Sequence, residues 1–119
     1  MKKLTILFVF LLASCSTFIV PIKHDPGQVE VYISLKDKLE ELDCNARKEN
    51  TKLWDKAMAK AHRLWLYSDF RQDPQTENVK EIEGSLFKAY HGSLGFCEAK
   101  LRMIDISMDI IAKAWRGRE

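Results

Sequence analysis

Glycine is sparse, five residues in 119, and nowhere do glycines cluster into a loop that could cradle a phosphate. No serine stands in the strand-turn-helix setting of a nucleophile elbow. Histidine occurs only at His24, His62 and His91, none at metal-ligand spacing from another His or a free Cys, so no metal site is expected. Strand-like alternation is confined to Val29-Glu30-Val31, and no repeat or low-complexity segment stands out. Neither charge sign dominates, with 19 basic and 17 acidic residues. A balanced chain has no sequence-independent pull toward phosphate, so nucleic acid is not an expected partner. No small-molecule substrate is indicated either.

What is present begins at the N-terminus. Met1-Lys2-Lys3 is followed by an apolar run over residues 4–12, interrupted only by Thr5, and then by Ala13-Ser14-Cys15. A charged start, a short apolar stretch and small residues before a cut form a secretory signal, here residues 1–14. Leu12-Ala13-Ser14-Cys15 resembles the lipobox of bacterial lipoproteins. That resemblance implies a diacylated Cys15 thiol, cleavage just before it and acylation of the new amino terminus. Two or more chains anchor stably, because each buried methylene is worth about 0.8 kcal/mol. Ser16 rather than Asp after the Cys points, by the same resemblance, to the periplasmic face of the outer membrane. Two other readings stay open: an ordinary Cys15 with cleavage elsewhere, or an uncleaved helix over 4–20. The latter falls short of the roughly 20 apolar residues a span needs.

Removing residues 1–14 from 119 leaves 105, enough for one domain. Without Lys2 and Lys3 the basic residues fall from 19 to 17, equal to the acidic ones. With Cys15 spent on lipid, Cys44 and Cys97 remain as an even pair in an exported protein, and a disulfide is the default. Apart from the covalent lipid, no cofactor is implied.

Residues 15–26 read as a tether, interrupted by Pro21 and Pro26; its Phe18, Ile19 and Val20 could lie on lipid or pack on the domain. Residues 27–119 read as the helical domain. Asp25-Pro26 is a helix start, and Tyr32, Leu35, Leu39, Leu42 and Ala46 form the first apolar stripe. Cys44 falls off that stripe, which predicts that the helix loosens near Asp43-Cys44-Asn45. Asn50-Thr51 can cap a second helix with Trp54, Ala57, Ala61, Leu64 or Trp65, and Ser68 inside, Leu53, Met58 and Tyr67 on its flanks, and an end near Phe70. Asp73-Pro74 repeats the start signal for a third, with Val79, Ile82, Leu86 and Tyr90 inside and Phe87 beside them. Gly92-Ser93 ends it. Leu94, Cys97, Leu101, Ile104, Met108, Ile111 and Trp115 then step by three and four up to Gly117.

The expected fold is therefore all-α: a small antiparallel bundle of four helices with one disulfide. The alternative is three helices, the first two fused. In a four-helix bundle Cys44 and Cys97 meet at the end far from the anchor. Cys15, the turn at Gln72-Asp73 and Arg116-Gly117-Arg118 share the near end, while residues 45–50 and 91–94 face the periplasm.

Two features of the second helix are candidate partner-binding surfaces. Lys52, Lys56, Lys60 and Arg63 make a basic stripe, suited to an acidic helix or an anionic surface; its plain counterpart is a solvated face balanced by neighbouring carboxylates. Trp54, Trp65, Leu66, Tyr67 and Phe70 crowd more aromatic and apolar surface into one helix than one face can hide. Core packing absorbs most of it, and a patch around Leu66 and Phe70 remains. Asp105 and Asp109 share a face on the last helix, but nothing near them raises a carboxyl pKa toward acid–base use, so no catalytic residue and no enzyme activity are expected.

Lys23-His24-Asp25-Pro26, Phe70-Arg71-Gln72-Asp73-Pro74 and Ala114-Trp115-Arg116-Gly117-Arg118 resemble segments of small phage-encoded lipoproteins. The resemblance carries no site residues. It implies an accessory role in host lysis or exclusion, an outer-membrane spanin subunit being one member of that class, although many of those are shorter and richer in proline. The reading from the residues themselves is a membrane-anchored, non-enzymatic module that binds an envelope protein or serves a structural role. Inhibition of a cell-wall hydrolase through the distal loops is a further alternative.

Overall fold

A computed structural model of the chain describes residues 25–117. The signal over 1–14, Cys15, His24, the tether as far as residue 24, and Arg118 lie outside the described residues. The described residues form four helices: α1 (Pro26–Glu40), α2 (Thr51–Phe70), α3 (Thr76–His91) and α4 (Leu94–Arg116), with a 3-10 turn at Cys44–Ala46 between the first two. There is no strand among them, and no described helix is long and apolar enough to cross a membrane.

Local signals explain most boundaries. Asp25 caps α1 by accepting the Gly27 N–H at 2.8 Å, with Pro26 in the first turn where its missing N–H costs nothing. α1 stops at Glu40, and Asp43 starts the 3-10 turn by accepting from the Asn45 N–H. The expected loosening near Cys44 is thus a break, and the fused three-helix alternative is excluded. Ser93 caps α4 through the Phe96 N–H. Asn50 precedes α2, but its side chain makes no cap bond; its carbonyl accepts from Leu53 and Trp54.

The α2–α3 turn differs from expectation. α3 begins at Thr76, not at Asp73-Pro74. Asp73 is buried; one carboxylate oxygen accepts from the Gln75 N–H and the other from Gln28 Nε2. Its inward pull makes Asp73-Pro74 part of a turn. Before it, Gln72 takes a left-handed φ of 54°, and the Asp73 N–H reaches back to the Ser68 carbonyl while the Gln72 N–H reaches Asp69. These are the paired bonds of a Schellman end, in the position that glycine usually fills.

Successive helices pack against each other, α1 on α2, α2 on α3, α3 on α4. The α1–α4 seam closes the bundle through Tyr32. Its hydroxyl donates to the Met108 carbonyl at 2.8 Å, and its ring meets Trp115 edge-on at 5.6 Å. At the other end Cys44 and Cys97 are bonded, Sγ to Sγ 2.11 Å, joining the 3-10 turn to the start of α4. The core lies where the stripes converge: Leu35, Trp54, Ala57, Ala61, Leu64, Val79, Ile82, Leu86, Ile104, Met108, Ile111 and Trp115. Leu64, not Trp65, is the inward residue of its pair, and Ala89 takes the place expected for Tyr90, which is half-buried. Leu94, at the end of its stripe, is exposed.

Candidate binding groove on α1 and α2

Helical spacing carries Lys52, Lys56, Ala59, Arg63, Leu66 and Phe70 along one exposed side of α2. Where α1 lies alongside, an open groove of about 720 Å³ forms. Lys56, Lys60, Arg63 and Ala59 line it from α2, with Tyr67 at one end, and Lys38, Ser34, Val31, Glu30 and Gly27 line it from α1. Lys60 Nζ donates to Ser34 Oγ at 2.5 Å across the groove. Lys38 pairs at 3.4 Å with Glu41, one turn on. Lys56 and Arg63 have no ion-pair partner among the described residues. The stripe expected from the sequence is thus joined by Lys38 from α1, while Lys52 sits in a neighbouring crevice beside Glu49 and Lys48. The balancing carboxylates that a neutralised face would need are reduced, among the groove's lining residues, to Glu30.

The aromatic cluster divides. Trp54 is fully buried. Trp65 is half-buried, with the His62 ring at 5.4 Å and Lys80 Nζ at 5.8 Å from its ring. Tyr67 is half-buried and committed elsewhere: its hydroxyl donates to Asp25 Oδ2 at 2.9 Å, and it stands so close to Gly27 that a Cβ there would lie 2.6 Å from the hydroxyl. Leu66 and Phe70 are exposed, Phe70 at 89%, and they continue the basic stripe toward the end where the chain enters the bundle.

That end is built from polar groups whose bonds to one another the sequence reading did not identify. Asp25 accepts from Tyr67 and Gly27 and pairs with Arg71. Partial burial pushes its carboxyl up, but the Tyr67 and Gly27 hydrogen bonds and the Arg71 charge outweigh this and hold it below the usual 3.8. The same bond raises the Tyr67 hydroxyl above its ordinary value. Buried Gln28 donates to Ser68 Oγ at 3.1 Å and to Asp73 Oδ2 at 3.0 Å. Gln28 lies one step upstream of Tyr32 on the α1 stripe, and a polar residue in that register was the available signal. At the far end Arg47 donates to the carbonyls of Cys44, Ala89, Tyr90 and Gly92 at 2.7–3.1 Å, closing the C-terminus of α3.

The remaining candidates occupy separate places. His62 is exposed and 2.9 Å from Glu83, and His91 lies tilted against Phe87 and edge-on to Tyr90 at the end of α3. No group of three His, Cys, Asp or Glu able to hold a metal occurs among the described residues. Asp109 pairs with Lys113 at 2.9 Å, and that hydrogen bond holds its carboxyl below the usual range, the reverse of what a general acid needs. Comparison of the chain with protein-family models, with curated proteins and with solved structures gives no match.

Proposed function

We propose that the chain is a lipid-anchored, periplasm-facing module of the cell envelope that binds an acidic segment of a protein partner in its α1–α2 groove. The supporting observation is the convergence of Lys56, Lys60 and Arg63, joined by the Glu41-paired Lys38, on one open groove whose lining holds the single carboxylate of Glu30. Each exposed ion pair is weak, but aligned cations steer an anionic partner and select its register. Toward the chain-entry end the same side of α2 turns apolar at Leu66 and Phe70, so the segment that fits carries carboxylates along one part and an apolar anchor at the other. The role is binding or structural rather than catalytic. The lipobox-like Leu12-Ala13-Ser14-Cys15 supports the anchor, and Ser16 supports the outer membrane.

A photoreactive residue in place of Ala59, on the full-length protein in intact envelopes, tests the groove. The expected adduct maps to a stretch rich in Asp and Glu and disappears when Lys56→Glu and Arg63→Glu are combined. An adduct that survives the charge reversal, or none at all, overturns the proposal. The partner's identity also separates lysis, exclusion and hydrolase inhibition.

A further inference from the structure

The last helix carries a second apolar stripe that the bundle leaves open. Phe96, Met103, Ile106 and Ile110 are 42–60% exposed, and with half-buried Ala99 they step by three and four along α4, on a different side from Cys97, Ile104, Met108 and Ile111. The spacing is that of a coiled-coil seam, with Phe96, Met103 and Ile110 in register for one of the two core positions and Ala99, Ile106 and Lys113 for the other. Arg102 and Asp109, both exposed, flank the seam on one side, and Lys100 and Ser107 on the other.

We infer that α4 pairs antiparallel with α4 of a second copy, about a twofold axis between Met103 and Ile106. The charge pattern selects this occupant and direction. In the antiparallel register Met103 faces Ile106, Ala99 faces Ile110, and Phe96 faces the stem of Lys113, each of the second copy. Flanking residues then meet their own kind, so Arg102 lies opposite Asp109 of the second copy and the pair occurs twice by symmetry. A parallel register sets Arg102 opposite Ser107 and gains neither pair. Asp109 already pairs with Lys113 through one oxygen and feels the Arg116 and Lys36 charges; its other oxygen makes no hydrogen bond or ion pair among the described residues. The seam over residues 96–113 runs about 26 Å at 1.5 Å per residue. Two anchored copies meet this way when their helices lie along the membrane surface, in place of the upright bundle expected from the sequence with residues 45–50 and 91–94 facing away.

Sedimentation of the detergent-solubilised full-length protein tests this, with circular dichroism as a check on folding. A dimer is expected. Arg102→Asp alone and Asp109→Arg alone each weaken it by about tenfold or more, because both symmetric pairs become like-charged. The combined exchange restores it. A monomer at every concentration, or a dimer indifferent to the single reversals, overturns the inference. So does a double exchange that fails to recover while remaining folded.

Discussion

Replacing Cys44 and Cys97 together by Ala isolates the contribution of the disulfide. Cys97 is completely buried and Cys44 nearly so, so removing the two sulfurs leaves a small cavity whose cost adds to the main effect, which falls on the unfolded chain. The bond joins residues 53 apart in sequence. Closing a loop of that length is worth about 4 kcal/mol in lost unfolded-state entropy. Against the roughly 5–15 kcal/mol that holds an ordinary domain together, this is a large share. For a domain of this size the melting temperature should fall by about 20 °C. Trp54 in the core, half-buried Trp65 and Trp115 beside Tyr32 all report by fluorescence, so urea titration of the full-length chain followed by fluorescence and by circular dichroism can establish both the midpoint and whether unfolding is cooperative. A loss below about 1 kcal/mol, on the same loop-entropy reasoning, would refute it. Free labelling of both thiols in exported protein would refute the bond itself.

Other substitutions probe the two ends of the bundle. Arg47→Ala should cost about 2–3 kcal/mol in urea melts by leaving carbonyls at the end of α3 without their charged donor, and Arg47→Lys should recover only part, since one ammonium can serve the three α3 carbonyls held by Nη1 but not also the Cys44 carbonyl held by Nε. Gln72→Gly should stabilise by about 0.5–1 kcal/mol, because glycine takes the left-handed conformation without a Cβ penalty. The Asp25 carboxyl lies below its ordinary 3.8 in the folded chain, so its contribution is present above that value and is lost as pH falls through the lower folded one. Acid titration of Asp25→Asn followed by circular dichroism should accordingly show a shallower loss of stability below pH 3.8 than the parent.

The helices and their inner faces were legible because apolar residues recur at three and four, most cleanly from Leu94 to Trp115. Periodicity says which side of a helix is inward but not how two adjacent large residues share the space, hence Leu64 inside and Trp65 at the edge. It also could not show that Asp73 turns inward to Gln28, because that bond spans 45 residues and depends on α1 being in place. Arg47 was invisible for the same reason: its acceptors are carbonyls of another helix. The basic stripe was readable within α2, whereas its partner Lys38 emerges only when α1 packs beside it. On α4 the inner stripe and the second one share the same spacing of three and four, and exposure alone separates the two.

Everything proposed about where this groove works depends on the thiol at position 15. Mass spectrometry of the protein extracted from its native membranes reads that directly. The expected species begins at Cys15 and carries a diacylglyceryl group on sulfur and a further acyl chain on the amino terminus. A chain that still begins at Met1, or one cut elsewhere with the Cys15 thiol unmodified, would contradict an envelope-anchored module.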